Sequence, residues 1–212
     1  MDAKISLAFD FLDPWGWIAE RQLRLAMREA GVLKPVSYQP CRARLSSKAV
    51  GLAFQDYQRQ RFGTQAGVFE KRLIAEAASL GVPLTGLDVE KIPDPWLAML
   101  AITADPKRAA ALFDAVYAAI YRDGRDIGDP AVMSQLLVQT QSTGHTVAQL
   151  AESPDLMSEL IKTEQNVASW CRNLTPSVRI GETVVSGAQP SAVLAQILAP
   201  RPYDAGQAQQ TQ

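Results

Sequence analysis

The 212-residue chain has two cysteines and a single histidine, too few for a four-ligand zinc set unless carboxylates complete it. Cys41 and Cys171 lie far apart and form no Cys-x-x-Cys pair, so the sequence argues against a metal site. His145, in Gly144-His145-Thr146 beside a helix start, reads as a solvated loop residue. Charge of one sign is also missing, because 21 Lys and Arg against 22 Asp and Glu leave a formal charge of -1. Such a balance offers no electrostatic footprint for nucleic acid or an anionic membrane. No apolar run approaches the length of a bilayer span, and the opening MDAKISLAFDF carries Asp2 and Asp10 and no stretch of signal-peptide length. The expectation is a cytoplasmic protein that binds neither nucleic acid nor membrane.

What is present is a globular composition, 47% hydrophobic and 20% charged, in a chain long enough to bury a large core. Ile5, Leu7, Phe9 and Phe11 alternate with Lys4, Ser6, Ala8 and Asp10, which predicts a strand with one better-buried face. From Pro14 to about Ala30 the apolar spacing turns helical, and Gly31 supplies the stop. Val36-Ser37-Tyr38-Gln39 then reads as a short strand, completing a βαβ unit whose crossover is expected to be right-handed. Helical periodicity follows over about 65–80, 95–104, 106–121, 130–140 and 154–171, with no convincing strand among them. Asp13-Pro14, Asp94-Pro95, Asp105-Pro106, Asp129-Pro130 and Ser153-Pro154 each put a capping side chain before a proline suited to the first helical position. Near the end, 176–180 and 183–186 flank Gly181-Glu182, a hairpin loop in which glycine provides the positive φ of a type II′ turn. A helix over 191–198 closes the fold, and the polar, glutamine-rich segment 200–212 reads as a disordered tail.

Several separated motifs fit one family. Phe9-Asp10-Phe11-Leu12-Asp13-Pro14-Trp15-Gly16-Trp17 resembles the Asp-Phe-x-Cys-Pro-Trp-Cys-Tyr segment of the DsbA-like family, FrnE-like subgroup. Thr175-Pro176 looks like that family's residue before a cis-proline, and Val185-Ser186-Gly187-Ala188-Gln189-Pro190 is similar to its element before the last helix. Asp126-Ile127-Gly128-Asp129 also fits the family spacing. The resemblance, over about 5–198, implies an α/β fold: a thioredoxin-like domain (1–45 and 172–199) interrupted by an all-helical insertion (46–171), with 200–212 as the tail.

The departures from the family bear on chemistry. The resemblance puts Asp13 at the nucleophilic cysteine and Gly16 at the resolving one, so the site has no dithiol to cycle. Upstream of Pro176, Cys171 and Leu174 stand where the family has glycines, which implies a reshaped loop. Related 2-hydroxychromene-2-carboxylate isomerases and kappa-class glutathione transferases carry serine at the position of Asp13, where a hydroxyl can donate to a glutathione thiolate. An ionised Asp13 only accepts hydrogen bonds and would meet that thiolate with like charge, so glutathione is allowed but no cofactor is required. As alternatives, Asp13 is a carboxylate base acting on a small substrate, or simply a helix N-cap worth about 1 kcal/mol.

Trp15 is the candidate pocket wall and Trp17 a core residue. The run Gln55–Arg61 reads as a solvated helical face that, as part of a lid, could offer Arg59 or Arg61 to an acidic substrate, and neither is assigned to the site. Asp13 is thus the candidate catalytic residue, with Trp15, Gly16, Leu174, Thr175, Pro176 and Gln189 as substrate contacts. The expected function is a non-redox small-molecule enzyme of isomerase or glutathione-linked transferase type, its pocket lying between the Asp13 turn, the Thr175-Pro176 loop and the insertion. A non-catalytic peptide- or ligand-binding scaffold is the alternative, and a thiol-disulfide oxidoreductase acting through Cys41 or Cys171 ranks last. A homodimer is compatible with the sequence.

Overall fold

A computed structural model describes residues 4–42, 48–84, 87, 89–142 and 144–199. Its core is a four-stranded mixed sheet in the order β2-β1-β3-β4. β1 (Ile5–Phe9) leads into α1 (Trp15–Glu29) and then β2 (Val36–Pro40), which pairs parallel to β1 with Leu7 opposite Tyr38. β3 (Ser177–Ile180) runs antiparallel to β1 on its other side, and β4 (Thr183–Ser186) pairs antiparallel to β3 as the edge. Gly181 takes φ +60° between them, and Glu182 stays out of the left-handed region, as a II′ turn requires. Between β2 and β3 come α2 (Phe54–Phe62), a 3-10 turn (Gly63–Gln65), α3 (Ala66–Ser79), α4 (Trp96–Ala104), α5 (Ala109–Tyr121), α6 (Pro130–Gln139), α7 (Val147–Glu152) and α8 (Pro154–Cys171), and α9 (Ser191–Leu198) ends the fold. This is the thioredoxin-like α/β arrangement with helices inserted.

Every residue of β1 is buried, not one face alone. Ile5, Leu7 and Phe9 enter the main apolar core, while Ala8 on the opposite face packs with Cys41, Val167 and Cys171. Helices cover both faces, so the alternation of apolar and small residues reflects two interiors of different size and not an interior and a solvent face. The main core cluster runs from β1 and α1 through α4 and α5 to β3 and α9, spanning the expected thioredoxin-like segments and the insertion alike.

The five capping side chains all accept hydrogen bonds. Asp13 accepts from the Trp15 amide (3.1 Å), Asp94 from Trp96 (3.0 Å), Asp105 from Arg108 (3.2 Å), Asp129 from Ala131 (2.8 Å) and Ser153 from Leu156 (3.3 Å). After Asp105 the bonds close a turn first, so α5 begins at Ala109 and not at Pro106. α7 was missed by periodicity because it has only six residues, although Thr146 and Gln149 form a capping box at its start. α9 borrows its cap: the Gln22 side chain of α1 accepts from the Ser191 amide at 2.7 Å. The tail expected at 200–212 lies outside the described residues.

An aromatic cluster joins the insertion to the sheet. The Phe113 ring of α5 lies 4.8 Å from Phe9, 5.0 Å from Tyr38 and 4.6 Å from Tyr117, centroid to centroid, with the first contact edge-on. Phe113→Ala should therefore lower unfolding stability by about 3 to 5 kcal/mol. Denaturant titration followed by tryptophan fluorescence checks this, and a loss below about 1 kcal/mol would mean that the cluster collapses around the cavity.

Candidate functional site

The turn between β1 and α1 is pinned on both sides. Asp10 accepts from the Leu12 amide through its carboxylate (3.0 Å) and from the Asp13 amide through its carbonyl (3.0 Å), and the Gly16 amide closes the first turn on Asp13 O at 2.9 Å. From α5, the Tyr117 hydroxyl donates toward Asp10 O (2.8 Å) and Asp13 O (3.2 Å), and the Tyr121 hydroxyl donates to Phe11 O at 2.9 Å. Burial, together with the neighbouring tyrosine and carboxylate groups, raises both phenols well above their ordinary range, so they remain donors. Trp17 anchors the next turn by donating from its indole to Asp114 at 2.7 Å, an acceptor it shares with Arg21.

Asp13 is 2% exposed and sits at the positive end of α1. Its Oδ1 accepts from the Trp15 amide, and its Oδ2 receives Nη2 of Arg61, from the last turn of α2, at 2.6 Å. Burial works against the Arg61 charge, but the Asp13 carboxylate and its hydrogen bond more than offset this and raise the guanidinium further above its ordinary value. Arg61 also lies 5.0 Å from the Phe62 ring centroid, and Phe62 packs on Phe69 of α3 at 4.3 Å. On the other side of the cleft, Arg72 of α3 lies 5.9 Å over the Trp15 ring.

These side chains bound a cleft of about 260 Å³ whose far wall is Thr175, Pro176 and Gln189. The Thr175-Pro176 peptide is cis. Its loop is held by the Gly187 amide, which donates to Pro176 O at 2.8 Å, and by Ser177, whose hydroxyl donates to Leu174 O at 2.6 Å. Arg61 Nη1 and Thr175 Oγ1 are both buried without a protein partner. Two orphaned polar atoms on opposite walls of one cleft leave donors for a bound molecule to satisfy. A second cavity of about 400 Å³, between α2 and α3, shares Trp15 and Phe69 with the first.

The structure brings Asp13, Trp15, Thr175, Pro176 and Gln189 of the expected site together along one cleft. It does not bring Gly16 or Leu174 with them. A Cβ built on Gly16 would lie 2.0 Å from Tyr117 Oη, so this glycine is there to admit the tyrosine and is buried beneath it. Leu174 is 55% exposed and does not line the cleft. The loop's left-handed residues are Arg172 (φ +54°) and Asn173 (φ +58°), which turn the chain after α8 and rotate Leu174 outward. Sequence reasoning weighed Arg61 without assigning it and missed Phe62, Phe69 and Arg72. A signal for Arg61 existed: Phe54, Tyr57 and Arg61 stand at i, i+3 and i+7, so the face that buries Phe54 and Tyr57 also turns Arg61 inward. Arg59 lies off that face, exposed beside Asp56.

With this geometry in place, the class of protein is defined. Residues 4–199 match the DSBA-like thioredoxin domain, and the chain belongs to that family. Its fold is similar to that of a probable DsbA oxidoreductase from Streptomyces coelicolor (TM-score 0.80, 20% identity, covering 99% of this chain and 92% of that one). It is also similar to a 2-hydroxychromene-2-carboxylate isomerase (TM-score 0.62, 14% identity, 91% of both chains). The cytosolic disulfide reductase DsbM from Pseudomonas aeruginosa, solved with GSH, is similar as well (TM-score 0.56, 18% identity, 91% of this chain and 93% of that one). No curated protein sequence matches the chain. The same fold is thus found in proteins described as a probable oxidoreductase, a disulfide reductase and an isomerase. Among the described residues, no helix is long and apolar enough to cross a membrane.

Restoring a Cys-x-x-Cys motif should fail at its second position. Gly16→Cys should lose about 1 to 3 kcal/mol through overpacking against Tyr117. Thermal melts of this variant against the unmodified protein check this, and equal melting temperatures would show that Tyr117 moves aside freely.

Proposed function

We propose that the protein is a non-redox enzyme acting on a small anionic molecule, of isomerase or glutathione-linked transferase type, with Asp13 and Gly16 standing at the family's two active-site cysteine positions. The observation that carries this reading is the composition of the cleft. One carboxylate, Asp13, and two guanidinium groups, Arg61 and Arg72, line it together with the aromatic rings of Trp15, Phe62 and Phe69. The net charge of these three side chains is positive, and Arg61 Nη1 and Thr175 Oγ1 are unsatisfied. A flat, conjugated carboxylate would lie against Trp15 and Phe62, with its acidic group on Arg61 and Arg72.

Arg61 also changes the standing of glutathione. An isolated Asp13 carboxylate would repel a thiolate, but a carboxylate neutralised by a guanidinium at 2.6 Å does so far less. The residues present therefore fit glutathione through Arg61, Arg72 and Thr175, and glutathione would supply a thiol nucleophile. Asp13 would then orient Arg61 and hold the helix end. With a substrate that needs no thiol, Asp13 would take or return a proton at its Oδ2 as Arg61 swings to the substrate carboxylate. A cytoplasmic setting belongs to this proposal, and two free cysteines fit it.

A second reading, a ligand-binding scaffold without catalysis, is favoured by one observation. Both Asp13 oxygens are already engaged, one by the Trp15 amide and one by Arg61. Asp13→Asn separates the two, because asparagine caps nearly as well but loses the basic electron pair. With 2-hydroxychromene-2-carboxylate or glutathione as probes, tryptophan fluorescence should report binding to the unmodified protein, and Arg61→Gln should weaken it at least about tenfold. Turnover, once measured, should fall by roughly two to four orders of magnitude in Asp13→Asn. Binding without turnover by the unmodified protein supports the scaffold, and a fall below about tenfold in Asp13→Asn means that Asp13 is not the base. Dithiol-driven insulin reduction should stay at the uncatalysed rate, and clear turnover there would overturn the non-redox reading.

A further inference from the structure

On the sheet face opposite the aromatic core, the two cysteines of the chain meet. Cys41 follows β2 directly, its amide donating to Phe9 O at 2.8 Å, and Cys171 is the last residue of α8. Both are free, both are buried, and with Ala8 and Val167 they form a separate cluster, while the Cys41 thiol donates to the Glu164 carbonyl of α8 at 3.9 Å. The segment carrying Cys41 is strapped to α8 by Arg42, which makes a two-pronged contact with Glu164 at 2.9 and 2.7 Å and lies 4.8 Å over the Trp96 ring.

The surroundings are more polar than a hydrophobic seam requires. Ser6 Oγ and Gln39 Oε1 are buried without partners. By strand alternation and by the pairing of Ser6 with Ser37 and of Ala8 with Gln39, both belong to the sheet face that carries Cys41. A groove of about 370 Å³ runs along β2 beside α8 and is lined by Ser37, Gln39, Pro40 and Thr163, so it reaches to within one residue of Cys41. It is large enough for a peroxide to approach the end of β2.

We infer that Cys41 and Cys171 form a peroxide-oxidisable dithiol, separate from the Asp13 cleft, that closes to an internal disulfide. Cys171 is the attacking group. The neighbouring Cys41 and the amides of Asn173 and Leu174 lower the Cys171 thiol against the effect of burial, whereas the neighbouring Cys171 and burial push the Cys41 thiol up. The Cys171 thiolate attacks one oxygen of hydrogen peroxide, the O–O bond breaks, and hydroxide leaves as Cys171 becomes a sulfenic acid. The Cys41 sulfur then attacks the Cys171 sulfur. The S–O bond breaks, and the departing hydroxide takes the Cys41 proton as water. Overall, two thiols are oxidised to a disulfide and one peroxide is reduced to two waters, counting the proton first lost by Cys171. The disulfide would fix the end of α8 four residues before Thr175 of the cleft.

The test uses the full, reduced chain exposed to one equivalent of hydrogen peroxide, then denatured and alkylated. Reduced protein should take up two alkyl groups. Treated protein should take up none, weigh two hydrogens less, and give a peptide joining Cys41 to Cys171 that dithiothreitol separates. In Cys41→Ser, Cys171 should stop at a sulfenic acid that dimedone traps, and in Cys171→Ser the loss of Cys41 thiol should slow at least about tenfold. Two fully alkylated cysteines in unmodified protein after excess peroxide, a disulfide between chains, or an over-oxidised Cys171 beside a free Cys41 would each overturn the inference.

Discussion

Tyr117 lies where α5, β1 and the turn into α1 converge, and the placement of the other parts follows from it. Its ring packs between Phe11, Phe113, Trp17 and Tyr121, and its hydroxyl serves the carbonyls of Asp10 and Asp13. A buried carbonyl without a donor is costly, so the hydroxyl fixes the turn as firmly as a backbone bond would. The ring also occupies the volume that a side chain at position 16 would fill, which leaves glycine as the residue compatible with both contacts. Because α5 belongs to the inserted helices, the insertion shapes the turn from below as well as covering it from above.

That turn carries the charged centre of the cleft. At the N-terminus of α1 the backbone favours an anion, and Asp13 places a carboxylate there among buried groups. Burial of an isolated carboxylate would be unfavourable, and the partner that compensates it comes from α2, 48 residues away. Asp13 and Arg61 thereby form an ion pair that is nearly neutral overall and leaves one guanidinium nitrogen unused.

α8 ties the two ends of the protein's chemistry together. Its middle is fastened to the end of β2 through Glu164 and Arg42, its last residue sits beside Cys41, and its exit leads through two left-handed residues to Thr175 and the cleft wall. A bond formed or broken at Cys171 acts on the segment that positions Thr175, and the path between them is covalent.

Local chemistry was legible in the sequence where it depends on neighbours in the chain. The strand alternation of β1, the five capping side chains before proline, the glycine of the hairpin and the ordered family motifs all act over a few residues, so the thioredoxin-like α/β layout and the position of Asp13 could be read directly. The short α7 escaped because periodicity needs more than two turns to register, and α5 starts late because the bonds to Asp105 close a turn first. What only the tertiary structure decided is which distant groups meet: Arg61 with Asp13, Tyr117 over Gly16, and Cys41 beside Cys171. Leu174 shows the same limit from the other side, since two left-handed residues before it turn an expected site residue outward. These meetings are set by helix packing across separations of dozens of residues, and burial and pairing energies act on the assembled surface, where no spacing along the chain encodes them.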